Sequence, residues 1–578
     1  MERWLMKRWH LLIALVMALT MLFSACGGTA TPPTPPALLT ETTPGSTIQT
    51  PTGVRLTPNP VETSMPIYGG ELRTGYWIPR TFDAHQKAGY GPTATLPVFN
   101  QLVMFNINYK EVVTETIVGD LAETWETSAD GLAITFKLRQ GVKWHDGVPF
   151  TADDVIYSLD KMTDVNRSAI SDWFPAYNRI EKVDDLTVKV HLKYASASFM
   201  MALAQGESQI QSLHLAGTDD QSAAFMVGTG PFILTEFLSQ VHLKFKRNPD
   251  YFKKDQYGNQ LPYLDGIDYF HIPLARVDEM LVSRRLDLIG VMQGAANVDT
   301  YEFLKNGAPE LSWQKRERYN GNVIFINTSR KPLDDIRVRR AIGLMLDESE
   351  LIIGAAGDIM FGLLDTGILH PAFGLPKEEV IKIMGWDKPF DERVAEAQKL
   401  MAEAGYPDGF KLEMMTTSSR VGGGATAVLA EALRKHLKID ASLVSQLGTI
   451  GTQKRIDEGD YGTYMVTLDV MDPVQLTNYF GTERPYNYSK YSNPKLDEIL
   501  ERLDGILDPD QRRDAVWEIE RILLTDLPAL PTGHFPPTYM PYYPWVKNLR
   551  WNYISYSNIS RFEDIWLDEA LKKSMGAT

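Results

Sequence analysis

Residues able to carry out chemistry are sparse in this chain, and the spacings that would organise them are missing. A single cysteine, Cys26, excludes an intramolecular disulfide and a thiolate metal cluster. The 10 histidines are scattered, and no GxSxG, GxxxxGKS/T or HExxH spacing sets up a nucleophile, a phosphate loop or a zinc site. His145 stands beside Asp146 as a general base stands beside its orienting acid. The run Trp144-His145-Asp146-Gly147, however, falls between a strand pattern and a capped helix and closes on glycine, which reads as a turn. Gly422-Gly423-Gly424, ahead of a helical run through Leu429 and Leu433, offers two readings: a backbone cradle for an anion at a helix start, or a flexible loop. A hydrolase would need a nucleophile–base pair that the sequence does not display. The chain therefore reads as not an enzyme, with no cofactor and no metal site.

Cys26 is informative through its position. Arg3, Lys7 and Arg8 form a basic start, Leu11 to Phe23 is apolar and uncharged, and Ser24-Ala25 place small residues directly before Cys26. That is the layout of an export signal, and the apolar run is too short for a membrane span. A cysteine at this point resembles the bacterial lipobox, with Phe23 standing where leucine is usual, and implies Cys26 as the lipid-carrying mature N-terminus. Residues 1–25 are expected to be a signal peptide, and residues 26–65, rich in Thr, Pro, Ser and Gly, a semi-extended tether. No other stretch is long and apolar enough to span a bilayer, so lipid alone would anchor the chain.

The elements that must position a site lie in the remaining body, about 513 residues, more than one hydrophobic core usually organises. Hydrophobic residues make up 44% of the chain and charged residues 23%, a globular balance. The net charge of −15 leaves no basic excess for a nucleic-acid partner. Leu132, Ile134, Phe136 and Leu138 alternate as a half-buried strand does, as do Leu186, Val188, Val190 and Leu192, and Val241, Leu243 and Phe245. Thr151 with Asp154 marks a helix start, and Asn493-Pro494 and Asp508-Pro509 place a cap before a first-turn proline. Gly405 stops the helix carrying Val394, Ala397, Leu400 and Met401. Strands and helices interleave, so the fold class is α/β, a mixed α+β architecture.

Five blocks then carry a resemblance. They are Leu121-Ala122-Glu123-Thr124-Trp125-Glu126 with Gly141 to Gly147 and Thr151 to Val155; Gly228-Thr229-Gly230-Pro231-Phe232 to Phe252; Pro332 to Ile342 with Asp347; Ala397 to Tyr406; and Tyr491-Ser492-Asn493-Pro494 to Asp497. Their order and kind resemble the family-5 bacterial solute-binding proteins, the peptide/nickel-type receptors of ABC importers, over nearly everything from Gly69 onward. The resemblance implies a two-lobed periplasmic-binding-protein-like clamp with an extra domain inserted in the first lobe. The first lobe would comprise residues 66–110, 228–320 and 533–578, the inserted domain 111–227 and the second lobe 321–532. The hinge would lie near Gly321-Asn322 and Pro531.

By the same resemblance, Asp469 in Asp469-Val470-Met471-Asp472-Pro473 would face the α-ammonium of a bound peptide. A carboxylate partly removed from water there would hold a cation more strongly than in bulk. Arg420 would receive the ligand carboxylate, for which two parallel guanidinium donors are suited. Tyr76, Trp77 and Gly230 would add stacking and backbone contacts from the first lobe. Val466 departs from the tryptophan common in relatives, so the pocket wall differs. The implied function is extracytoplasmic binding of an oligopeptide and its delivery to a membrane permease by a monomer. An oligosaccharide, a nickel chelate or a non-transport sensor role are the alternatives.

Overall fold

The computed structural model describes residues 48–49, 55–86, 92–289, 294–316, 321–364, 366–416, 420–445, 448–468, 470, 472–533, 538–553 and 561–577. The expected signal peptide, Cys26 and most of the expected tether lie outside them.

The first lobe starts with β1 (Glu71–Tyr76). The chain then leaves for the inserted domain, made of β2 (Ala122–Thr127), β3 (Ala133–Leu138), α1 (Ala152–Met162), β4 (Tyr177–Asp184) and β5 (Thr187–Leu192). It returns through β6 (Phe232–Leu238), β7 (His242–Arg247) and β8 (Gly266–His271). Ile134, Phe136 and Leu138 of β3 and Val188, Val190 and Leu192 of β5 are buried, the period of two that a one-faced strand requires. Thr151 and Asp154 form a reciprocal capping box at the start of α1. The inserted sheet runs β2-β3-β5-β4. The first-lobe sheet runs β6-β7-β8-β1, and only its β8–β1 pair is parallel.

From β9 (Ser312–Arg316) the chain enters the second lobe: β10 (Gly321–Ile326), α2 (Glu348–Ala356), α3 (Phe390–Glu403), β11 (Lys411–Thr416), α4 (Arg420–Leu437), β12 (Asp440–Ser445), β13 (Thr463–Leu468), α5 (Pro494–Arg502), α6 (Pro509–Asp526) and β14 (Ala529–Pro531). It leaves through β15 (Thr538–Tyr542). The second-lobe sheet, ordered β12-β11-β13-β10-β14, mixes parallel and antiparallel pairs. Asn493 and Asp508 cap α5 and α6, each before a proline in the first turn. Gly405, with φ +90°, follows the end of α3. The three largest hydrophobic cores among the described residues lie around Leu72, Phe232 and Trp545, around Phe136, Phe150 and Leu159, and around Ile324, Leu429 and Leu523.

Two expectations change. The glycines 422–424 are not a loop: they lie inside α4, within and just after its first turn. A Cβ on Gly424 would fall 2.8 Å from the Ala355 Cα, so the missing side chain lets α4 lie against α2. The tether does not run on to residue 65 as an unattached segment. Asn59 Nδ2 donates to the carbonyls of Ile107 at 2.8 Å and Trp551 at 2.7 Å, and Leu56 is buried beside it, so the globular body begins near residue 55.

Candidate functional site

The two lobes are joined by chain crossings that run side by side. β9 pairs antiparallel with β15, and β10 with β14. Thr532 Oγ1 donates to the Asn322 carbonyl at 2.7 Å, tying the two crossings together. On the other side of β10 lies β13, with Leu468 opposite Gly321. The strand that leads to Asp469 therefore ends where the chain enters the second lobe. Asp469 itself lies outside the described residues, and its neighbours Leu468 and Val470 belong to the second-lobe core. Asp472 is fully engaged: it caps the short turn Pro473–Gln475 and receives Arg512 Nη2 at 2.6 Å.

Arg420 is the first residue of α4 and Tyr76 the last of β1, where it pairs with His271; the side chains of both lie outside the described set. Trp77 is 44% exposed, its ring centroid 5.1 Å from that of His271, an aromatic surface open to a ligand. Gly230 is occupied differently. Its N–H donates to the Val98 carbonyl at 2.7 Å, and its carbonyl accepts from Asn248 Nδ2 at 2.9 Å and His145 Nε2 at 3.0 Å. A Cβ on Gly230 would stand 2.5 Å from the Val98 oxygen, so backbone packing accounts for the glycine. His145 sits in the expected turn, where the Gly147 N–H donates to the Trp144 carbonyl at 2.8 Å. Burial pushes its imidazole down to about 4, so it is neutral and can accept the Gly228 N–H on Nδ1 at 3.3 Å.

The inserted domain is tied to the first lobe by buried charge. Arg561 is fully enclosed and donates to Asp120 Oδ2 at 2.9 Å and Gln101 Oε1 at 2.7 Å, while Lys253 reaches Asp120 Oδ1 at 2.7 Å. Burial alone would raise the Asp120 carboxyl, but the Arg561 and Lys253 charges hold it at about 2.

Sequence reasoning missed the contact between the inserted domain and the second lobe. Asp504 accepts from Ser196 Oγ at 2.8 Å, Ser198 Oγ at 2.6 Å and the Ser198 N–H at 3.0 Å. The Ala197 N–H donates to the Asp504 carbonyl at 2.9 Å, and Asn478 Nδ2 donates to Asp172 at 2.8 Å. Nothing local signals a pairing across 306 residues. Nearer the crossings, the rings of Phe361 and Tyr539 also meet between lobes, their centroids 5.6 Å apart. Among the described residues no group of three or more His, Cys, Asp or Glu side chains could hold a metal ion, and no helix is long and apolar enough to cross a membrane.

Two mixed α/β lobes, crossed side by side and closed on one another beyond the crossings, define a periplasmic-binding-protein fold. Residues 116–488 match the family described as bacterial extracellular solute-binding proteins, family 5 Middle, and the chain belongs to that family. It is 28% identical over 499 residues to di/tripeptide-binding protein 2 of Pseudomonas aeruginosa, covering 79% of this chain and 88% of that one. It is 26% identical over 471 residues to heme-binding protein A of Haemophilus influenzae, covering 76% and 81%. The solved structure of the Helicobacter pylori binding protein DppA with the peptide STSA superposes with a TM-score of 0.69 at 23% identity, covering 87% of this chain and 99% of that one.

Proposed function

We propose that this protein is an extracytoplasmic receptor that binds an oligopeptide-type ligand between two hinged lobes and delivers it to the permease of an ABC importer. In this reading residues 1–25 are a signal peptide, Cys26 carries the lipid that holds the chain at the membrane, and the receptor acts as a monomer without catalysis. Asp469 takes the ligand's α-ammonium, Arg420 its carboxylate, and Tyr76 and Trp77 flank it from the first lobe. The observation that carries the reading is the register of β13 against β10: the residue after Leu468 follows a strand end that lies beside Gly321, where the chain enters the second lobe. A carboxylate there would meet a ligand only when the lobes approach, which couples binding to closure. The peptide-binding relatives support the choice of ligand.

The test is a cycle of protein change against ligand change. Asp469→Asn keeps the shape and removes the charge, so a free-amino peptide should bind more than about tenfold more weakly, one decade per about 1.4 kcal/mol. An N-acetylated peptide should bind the wild type poorly and lose little further in the variant. Near-zero coupling between the two changes would remove the peptide assignment. Mass spectrometry of small molecules released from freshly purified, denatured protein separates a peptide from a glycan or a macrocyclic cofactor.

A further inference from the structure

Between the inserted domain and the second lobe lies a cavity of about 400 Å³, within the size range of small-molecule sites. Its walls carry more acidic than basic groups. Asp172 faces the cavity and has the Asn478 amide as its hydrogen-bond partner; burial raises its carboxyl above the ordinary value. Asp504 is held by serine hydroxyls, a backbone amide and the Tyr194 hydroxyl rather than by a cation. Glu501 also lines the space, with no ion pair among the described residues. Gln205 is 4% exposed and its Oε1 accepts no hydrogen bond. Among the described residues, three carboxylates without a cation stand against one guanidinium without an anion, Arg484; the fourth carboxylate, Asp472, is neutralised by Arg512. The rings of Trp173 and Tyr194 complete the wall, and aromatic faces attract cations.

We infer that this cavity is a binding compartment for an organic cation, an alkylammonium or guanidinium group. The group arrives either on a side chain of the ligand held between the lobes or as a free amine. The buried Gln205 Oε1 is an open acceptor, the charge balance is negative despite the open donors Arg484 and Thr477, and the two aromatic residues suit a cation that keeps part of its alkyl stem in contact. The compartment shares its lobe closure with the reading proposed above.

Calorimetry on the full-length protein tests it with three probes: the peptide Ala-Lys-Ala, the same peptide with Nε-acetyl-lysine, and agmatine alone. The lysine peptide should bind about tenfold more tightly than its acetylated form, the worth of one charge-assisted hydrogen bond. Asp172→Asn with Glu501→Gln should bring that ratio close to one. Glu501→Gln alone, an exposed and conservative change, should lower it part of the way if the double variant does not fold. Agmatine binding that is lost in the variants assigns the site to a free amine; lysine discrimination without agmatine binding assigns it to a ligand side chain. Agmatine binding with no peptide binding would sink the peptide reading and leave the compartment standing. Peptide binding with a ratio of one and no agmatine binding would do the reverse. Discrimination or agmatine binding that survives both substitutions overturns the compartment, as does no binding by any probe.

Discussion

The inserted domain has two neighbours and meets them with different chemistry. Toward the first lobe it is bonded through Asp120 to Arg561 and Lys253, through Lys161 to Asp83 at 2.6 Å, and through two histidines, His85 to the Gln209 carbonyl and His145 to that of Gly230. Toward the second lobe it has a few hydrogen bonds around Asp504 and Asn478, the second lobe's partly buried Phe373 against its core, and an open cavity. Charges buried with their partners cannot part without leaving one uncompensated, whereas hydroxyls leaving Asp504 can be rehydrated. The first lobe and the inserted domain should therefore move as one body, with the second lobe as the moving part.

Four experiments break or sharpen that contrast, from the largest effect to the smallest. Arg561→Met strands the Asp120 charge with Lys253 alone and should cost about 3–5 kcal/mol, read by urea unfolding; a loss below about 1 kcal/mol would mean the bonded junction is no stronger than the other.

The second experiment is a pH series of melting temperatures. Burial depresses His85 and His145 to about 4, so both stay neutral in the fold while unfolded chains take up protons from pH 6.5 downward. Their contribution is complete above 6.5 and is lost as pH falls toward 4. Burial raises Glu520 to about 7, so it binds a proton on folding between pH 4.5 and 7 and opposes one of the two. Burial also raises Asp278 to about 6, so below that pH the two acids nearly offset the two histidines; the wild type should lose stability between 6.5 and 6 and stay nearly level down to 4.5, and His145→Gln should tip that level stretch toward a gain on acidification. A wild type that gains stability on acidification through this window would contradict the assignment.

Gly230→Ala comes third. Its Cβ has no room beside Val98, so about 1–3 kcal/mol of stability should go, with ligand affinity unchanged in whatever folds. An affinity loss without a stability loss would return Gly230 to the ligand site. Last, Asp504→Ala should leave melting nearly unchanged while weakening the closed state by about 1 kcal/mol. Small-angle scattering should then show a wider particle in the ligand-free protein; an unchanged profile would mean that Asp504 does not hold the lobes together.

Much of the fold was legible because its signals are local. Thr151 with Asp154, Asn493 and Asp508 cap the helices they precede, and the alternation through Phe136 and Val190 marks strands with one buried face. The family blocks were legible for the same reason. The glycines before Val428 misled because their purpose is tertiary: a glycine run reads as a loop until α2 is seen lying against it. Asp504 and Ser198 gave no sign because an aspartate after a helix and a serine before one are ordinary caps until closure joins them. For Asp469 the sequence offered a position, and the fold adds the strand end that precedes it.

The nested path of the chain has a consequence for how the molecule is made. Among the described residues the second-lobe core draws only on those between Val323 and Leu530, so it can assemble as soon as that stretch has emerged during synthesis. The first lobe cannot. Its core waits for Trp545, whose indole donates to Asp287 at 2.9 Å, and the salt bridge under its inserted domain waits for Arg561. Although domains are generally completed in the order they are synthesised, here the lobe begun first is finished last, by the final few dozen residues. A truncation near the C-terminus would thus strike the oldest part of the nascent chain and leave the middle intact.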